Sequence, residues 1–153
     1  MPNTPEFRAA TAARLEAAAA RAPERTAFLG LDGFVDEIIA VVDQRASAAE
    51  FTRVATIEAF ARRIAAAAGR STNLELVTRR TKIGGNGPIM ASALARLGVR
   101  VTYVGALGHP AIHPVFADLR ANGAEIHSIA DPGRTDALEF DEALATIDVG
   151  YDL

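Results

Sequence analysis

The sequence contains no cysteine and no tryptophan. Without cysteine there are no disulfides, no thiolate zinc sites and no cysteine nucleophile. That usage is compatible with a reducing compartment, and a cytoplasmic location is the expectation. Long hydrophobic runs are also missing. None approaches the roughly 18 apolar residues that a membrane-spanning helix needs. Positive charge is in deficit: 16 Lys and Arg stand against 19 Asp and Glu, a net charge of −3. No basic stripe interleaved with aromatic residues appears, so an electrostatic nucleic-acid partner is not expected. The alanine- and arginine-rich amino terminus has the flavour of a transit peptide. Glu6, Glu16 and Glu24 interrupt it, however, and no charged-then-apolar signal pattern follows. The phosphate-loop patterns G-x-G-x-x-G and G-x-x-x-x-G-K-[ST] are absent. So are internal repeats, low-complexity linkers and heptads.

What remains is a chain of 153 residues, one domain's worth, in which half the residues are apolar. Alanine supplies much of that half, which points to a core of small side chains. Residues 5–22 read as a helix with Phe7, Leu15 and alanines inside, ended by Pro23. Short apolar runs at 26–31, 99–104 and 126–129 read as strands of a parallel sheet with helices on its faces. The helices 88–97 and 112–121 pack on that sheet in this reading. Residues 46–56 read as loop. The spacing of Ile57, Phe60, Ala61 and Ile64 predicts a helix over 57–68, capped by Gly69. The runs 34–42, 74–83 and a hairpin of 137–140 with 143–149, turning at Asp141-Glu142, are more polar and alternate better. They suit a second, smaller sheet with one wet face. The expected fold class is therefore α/β, a partial parallel sheet flanked by helices with a small β-sheet beside it.

The most informative stretch is Thr81 to Gly98, T-K-I-G-G-N-G-P-I-M-A-S-A-L-A-R-L-G. A strand stops at Gly84-Gly85, and Pro88 then opens a helix that closes at Gly98. Glycine lets a ligand approach the main chain closely. Proline fits the first helical turn, where its missing N–H costs nothing. The free N–H groups of a helix start favour oxygen-rich ligands. Asn86 brings an amide, with two donors and an acceptor, which suits sugar hydroxyls better than phosphate. A plain strand-to-helix turn with Asn86 as the helix cap is the structural alternative.

The run G-G-N-G-P-I-M-A-S-A-L-A-R-L-G, followed by V-R-V-T-Y-V-G-A-L-G, resembles the first signature of the ribokinase/phosphofructokinase-B family of carbohydrate and nucleoside kinases. F-L-G-L-D-G-F-V-D-E-I, Phe28 to Ile38, resembles that family's first strand with its substrate-binding aspartate. P-G-R-T-D-A-L-E-F, Pro132 to Phe140, resembles the lid strand that follows. The resemblance covers about Thr26 to the end of the chain. One departure stands out: Ile89 falls near the place of the family's usual Asn, and Asn86 is the only asparagine nearby. The resemblance implies a ribokinase-like fold with the small sheet as a lid. It divides the chain into an extra amino-terminal helix, 1–25, and an acceptor-binding and lid portion, 26–153.

As substrate-binding residues the resemblance offers Asp36, Gly84, Gly85 and Asn86, with Asp32 open through a small shift of the strand. A carboxylate beyond a strand end can accept two sugar hydroxyls. Gly105 and Gly108 read as turn residues. His109 and His113 are spaced for a metal pair, but Pro110 and Pro114 interrupt a helix through both, so they read as loop residues; no metal site is expected. His127 reads as edge or lid surface. Arg79, Arg80 and Lys82 could counter a phosphorylated ligand, or simply protect a strand edge. Glu139 is a weaker substrate contact.

ATP and Mg2+ are implied for a complete enzyme of the resembled family, and neither is expected bound to this chain. The glycine-rich anion hole and the catalytic aspartate that follows it, roughly D-T-x-G-A-G-D, do not occur here. The chain reads as the amino-terminal half of a longer kinase, inactive alone and with no catalytic residue of its own. A non-catalytic sugar- or nucleoside-binding module is the other reading. An oxidoreductase-type nucleotide domain is disfavoured by the missing G-x-G-x-x-G and strand-end acid. The expected partners are a small sugar or nucleoside and a second copy, met through the lid or an exposed sheet edge.

Overall fold

The computed structural model describes residues 4–141 and 146–151. They fold as two units, one formed by the chain up to Gly33 with Gly85–Pro132, the other by Phe34–Gly84 with the chain from Gly133 onward.

The first unit holds a three-stranded parallel sheet in the order β1 (Thr26–Leu29), β5 (Arg100–Ala106), β6 (Glu125–Ala130). Leu29 pairs with Tyr103, and Tyr103 with Ile126. The three runs read as parallel strands thus form one sheet. The central strand β5 buries Val101, Tyr103 and Gly105 on one face. Helix α3 (Asn86–Arg96) packs on β5 and β1. It can approach closely because its buried face is Pro88, Ala91 and Ala95, with no long side chain to hold it away. The short helix α4 (Ala117–Ala121) packs against α3. It is shorter than the expected 112–121, because Pro114 opens a separate 3-10 turn, Pro114–Phe116. Leu107, Phe116 and Leu119 are fully buried there.

Helix α1 (Pro5–Ala20) is capped by the Thr4 hydroxyl, which accepts from the Phe7 N–H at 3.2 Å. It buries none of its residues. The expected inner face is therefore wrong: Phe7 is 46% and Leu15 65% exposed. A helix that is half alanine has propensity enough to form but no large apolar stripe to hold it down.

The second unit is built on β2 (Phe34–Arg45), with β3 (Phe51–Arg53), β7 (Gly133–Glu139), β8 (Thr146–Tyr151) and β4 (Leu76–Gly84) around it. β2 pairs β4 antiparallel and β7 parallel along its first half, and β3 at its end. β7 and β8 form the expected hairpin; of its expected turn and strand start, residues 142–145 lie outside the described residues. β3 corrects the loop expected over 46–56. Three residues are too few to show a period-2 pattern, and only pairing to β2 makes them a strand. Helix α2 (Ile57–Ala65) is capped by Thr56, which accepts from the Ala59 N–H at 3.0 Å. It lays Ile57, Ala59 and Phe60 on a core of Ile39, Val41, Val54, Leu138 and Phe140. The rings of Phe60 and Phe140 meet at 5.6 Å between centroids. No helix among the described residues is long and apolar enough to cross a membrane.

This packing predicts a contrast. Phe140→Ala should destabilise the second unit by about 3–5 kcal/mol, the usual cost of emptying an aromatic core position. Leu15→Ala on α1 should stay within about 0.5 kcal/mol. Urea unfolding of both variants checks the pair.

Candidate functional site

The run Ile83-Gly84-Gly85-Asn86-Gly87 ends β4 and starts α3. Gly85 is the helix N-cap, with φ at 83°, a left-handed conformation that glycine adopts without strain. Asn86 is the first helical residue and caps nothing. Its side chain is exposed and has no hydrogen-bond partner among the described residues. The cap role considered for Asn86 is therefore not the one it plays.

Two aspartates explain why the neighbouring positions carry no side chain. In the first unit, Asp32 follows β1 and accepts the Gly87 N–H through Oδ1 at 3.1 Å. A Cβ on Gly85 would stand 2.8 Å from the Asp32 Oδ2, and one on Gly87 would overlap Oδ1. Asp32 thus neutralises an orphan donor at the start of α3, a favourable place for a negative charge. Tyr103 completes the arrangement. Its buried hydroxyl bonds the Asp32 carbonyl and lies 3.2 Å from Oδ1. Burial, then the adjacent Asp32 charge and its hydrogen bond, push the phenol well above the usual tyrosine range. Gly105 belongs to this packing and is not the expected turn residue. It sits inside β5, where a Cβ would press on the Leu31 and Asp32 carbonyls at 2.8 and 2.9 Å. Gly108 does turn the chain, with φ at 120°.

In the second unit, Asp36 lies in β2 opposite Lys82 of β4 and Thr135 of β7. Its carboxylate rests directly on the α-carbon of Gly84, where any Cβ would overlap it. Asp36 is half-buried and makes no hydrogen bond or ion pair among the described residues. The structure therefore groups Asp36 with Gly84, and Asp32 with Gly85 and Gly87. The part played by Tyr103 was not anticipated from sequence. The signal was present: a tyrosine in an otherwise aliphatic strand, V-T-Y-V-G, needs a partner for its hydroxyl when buried.

The remaining candidates are placed as follows. His113 accepts the Val115 N–H through Nδ1 at 3.2 Å, capping the 3-10 turn as a loop residue would. His109 is exposed, and its backbone N–H goes to Asp131. His127 lies on the edge strand β6, 3.0 Å from Glu125. Glu139 is held by Arg53 at 3.2 Å. Arg79, Arg80 and Lys82 are exposed on β4, an edge strand.

The sequence pattern of the prokaryotic ketohexokinases matches residues 4–150. The chain belongs to the prokaryotic ketohexokinase family. A curated ketohexokinase of Haloferax volcanii is 32% identical over 135 residues, which cover 84% of this chain and 36% of the relative. The chain thus spans about a third of the length of that ketohexokinase. Among solved structures, a ribokinase from Cryptococcus neoformans var. grubii serotype A in complex with ADP is 18% identical, with a TM-score of 0.43, over 83% of this chain and 33% of its own. An Arabidopsis thaliana ribokinase complexed with ribose and ATP is 15% identical, with a TM-score of 0.43, over 83% and 35%. The expected likeness to sugar kinases is borne out by the ketohexokinase family match.

The Tyr103 environment has a pH signature. The unfolded chain ionises a tyrosine near pH 10, whereas the folded chain holds the Tyr103 phenol protonated beyond that. The unfolded state therefore binds fewer protons above about pH 10, and stability falls there. Below that pH the contribution is fully present. Tyr103→Phe should flatten this alkaline loss and, at pH 7, cost about 0.5–1.5 kcal/mol for the lost hydrogen bond. Denaturant midpoints measured from pH 8 to 11 on both proteins give the comparison.

Proposed function

We propose that this chain is the acceptor-binding portion of an ATP-dependent sugar kinase, and that its acceptor is a ketose held by the carboxylate of Asp36. In this reading residues 26–153 supply the acceptor site and lid, and residues 1–25 add a helix. The observation that carries it is the state of Asp36: a half-buried carboxylate, without a partner among the described residues, lying against a glycine. Buried carboxylates are ordinarily paired or bonded, since desolvation without a partner is unfavourable; a half-buried one keeps water that a ligand hydroxyl can replace. An ionised carboxylate accepts only, and two adjacent hydroxyls of a polyol match its two oxygens. Gly84 keeps the space beneath that carboxylate free of a side chain.

In this reading these residues bind and orient the acceptor. Holding an acceptor hydroxyl in place contributes to phosphoryl transfer, which depends on positioning and on charge stabilisation at the phosphate. ATP would supply the phosphoryl group. The described residues include no group of three or more His, Asp or Glu side chains able to hold a metal by themselves; Mg2+ in such enzymes is ordinarily held by one or two carboxylates together with the phosphates of the nucleotide. The sequence carries no anion-hole motif for the transferring phosphate.

Asp36→Ala should weaken ketose binding by about 1.5–3 kcal/mol, the range for hydrogen bonds to a charged group, with the fold intact. Asp36→Asn should recover part of the loss. Calorimetric titration with a ketohexose measures both, and unchanged affinity in Asp36→Ala sinks the assignment. The chain alone should show no ATP-dependent phosphorylation, against about 1–100 turnovers per second for ordinary kinases.

A further inference from the structure

The second unit places two consecutive arginines around one cavity, which a regular strand would not do. Successive side chains of a strand point to opposite faces. β4 is irregular at this point: Ile38 pairs with Arg80 while Ile39 pairs with Thr78, leaving Arg79 as the extra residue of a bulge. A bulge of this kind breaks the alternation and re-aims a side chain. Arg79 and Arg80 accordingly line the same cavity of about 470 Å³, together with Arg53, Ile38 and Glu139.

The charges in this cavity do not cancel. Glu139 and Asp141 are both engaged by Arg53. Arg79 and Arg80 form no ion pair among the described residues. The Arg79 guanidinium is steadied over the Phe51 ring, 5.7 Å from its centroid, within the roughly 6 Å range of a cation–π contact. Protection of a strand edge needs no such device, because the exposed Lys82 on the same strand already provides a charge there. Planar guanidinium forks match the tetrahedral oxygens of a phosphate, and adjacent forks do so from two sides.

We propose that Arg79 and Arg80, with Arg53, form a site for a phosphate group on the second sheet. Asp36 and Ile38 are two residues apart in β2 and so share a face, roughly 6.6–6.8 Å apart along the strand. The phosphate site adjoins the row that carries Asp36. The phosphate is either a substituent of a sugar or a free anion, and the same guanidinium chemistry recognises both. The site does not depend on the kinase reading, because inorganic phosphate alone is a sufficient probe.

The test is a titration of the 153-residue chain with inorganic phosphate, with a ketose phosphate and with a neutral ketose, followed by the Nε–H resonances of arginine. Saturable phosphate binding is expected. Arg79→Gln and Arg80→Gln should each weaken it about tenfold or more, and Lys82→Gln less than about twofold, with circular dichroism unchanged in all three. Tighter binding of the ketose phosphate than of inorganic phosphate assigns the group to a sugar; equal binding assigns it to a free anion. No saturable binding, or an equal loss in Lys82→Gln, overturns the site. The neutral ketose separates this site from the one at Asp36: its binding should survive both arginine variants and be lost in Asp36→Ala.

Discussion

The whole glycine run of this chain is set by how closely two carboxylates approach the main chain. Asp36 lies on Gly84, and Asp32 lies on Gly85 and Gly87. Each glycine is required because a single methyl group would collide with a carboxylate oxygen. The two aspartates, four residues apart, therefore dictate the G-G-x-G spacing fifty residues later. Their chemical states then diverge. Asp32 accepts the Gly87 N–H and stands beside the Tyr103 hydroxyl, both through Oδ1, so that oxygen is committed to the fold. Asp36 has no partner among the described residues and is free to accept from a ligand. Two similar carboxylates thus differ in their neighbours, and the proposed acceptor grip rests on that difference.

The larger architecture follows from where these residues sit. β1 must bring Asp32 to the start of α3, which requires β1 and β5 to be paired with Leu29 opposite Tyr103. Tyr103 is then the central residue of β5, is itself buried, and reaches Asp32 through its hydroxyl. In the second unit β2 holds Asp36 between β4 and β7, while α2 covers the apolar residues at 39 and 41. A strand flanked on both sides gives Asp36 a fixed backbone.

Much of this was legible in the sequence. The runs 26–31, 99–104 and 126–129 stand out as short apolar stretches alternating with helices, and they match the observed parallel strands to within a few residues; G-G-N-G-P marks the strand-to-helix turn. Sequence favours Asp36 over Asp32 by resemblance alone, because both are acids beside a glycine break; the contacts of Asp32 with Gly87 and Tyr103 are not visible there. The burial of α1 was misread because alanine scores as apolar yet contributes little area, so its pattern carries no direction. The Arg79 bulge was invisible for a different reason: a bulge adds one residue without changing composition, and only the pairing to Ile38 and Ile39 reveals it. Gly105 was read as a turn because glycine at a strand end has two uses, and the sequence does not say which backbone lies against it.

The central claim is that Asp36 carries the acceptor grip and Asp32 serves the fold. Carbon-13 NMR of the aspartate side-chain carboxyls during titration with a ketohexose addresses it directly. The account predicts a saturable shift of the Asp36 carboxyl resonance while that of Asp32 stays nearly fixed. A shift at Asp32 with Asp36 unmoved, or saturation of the protein with neither resonance moving, would contradict it.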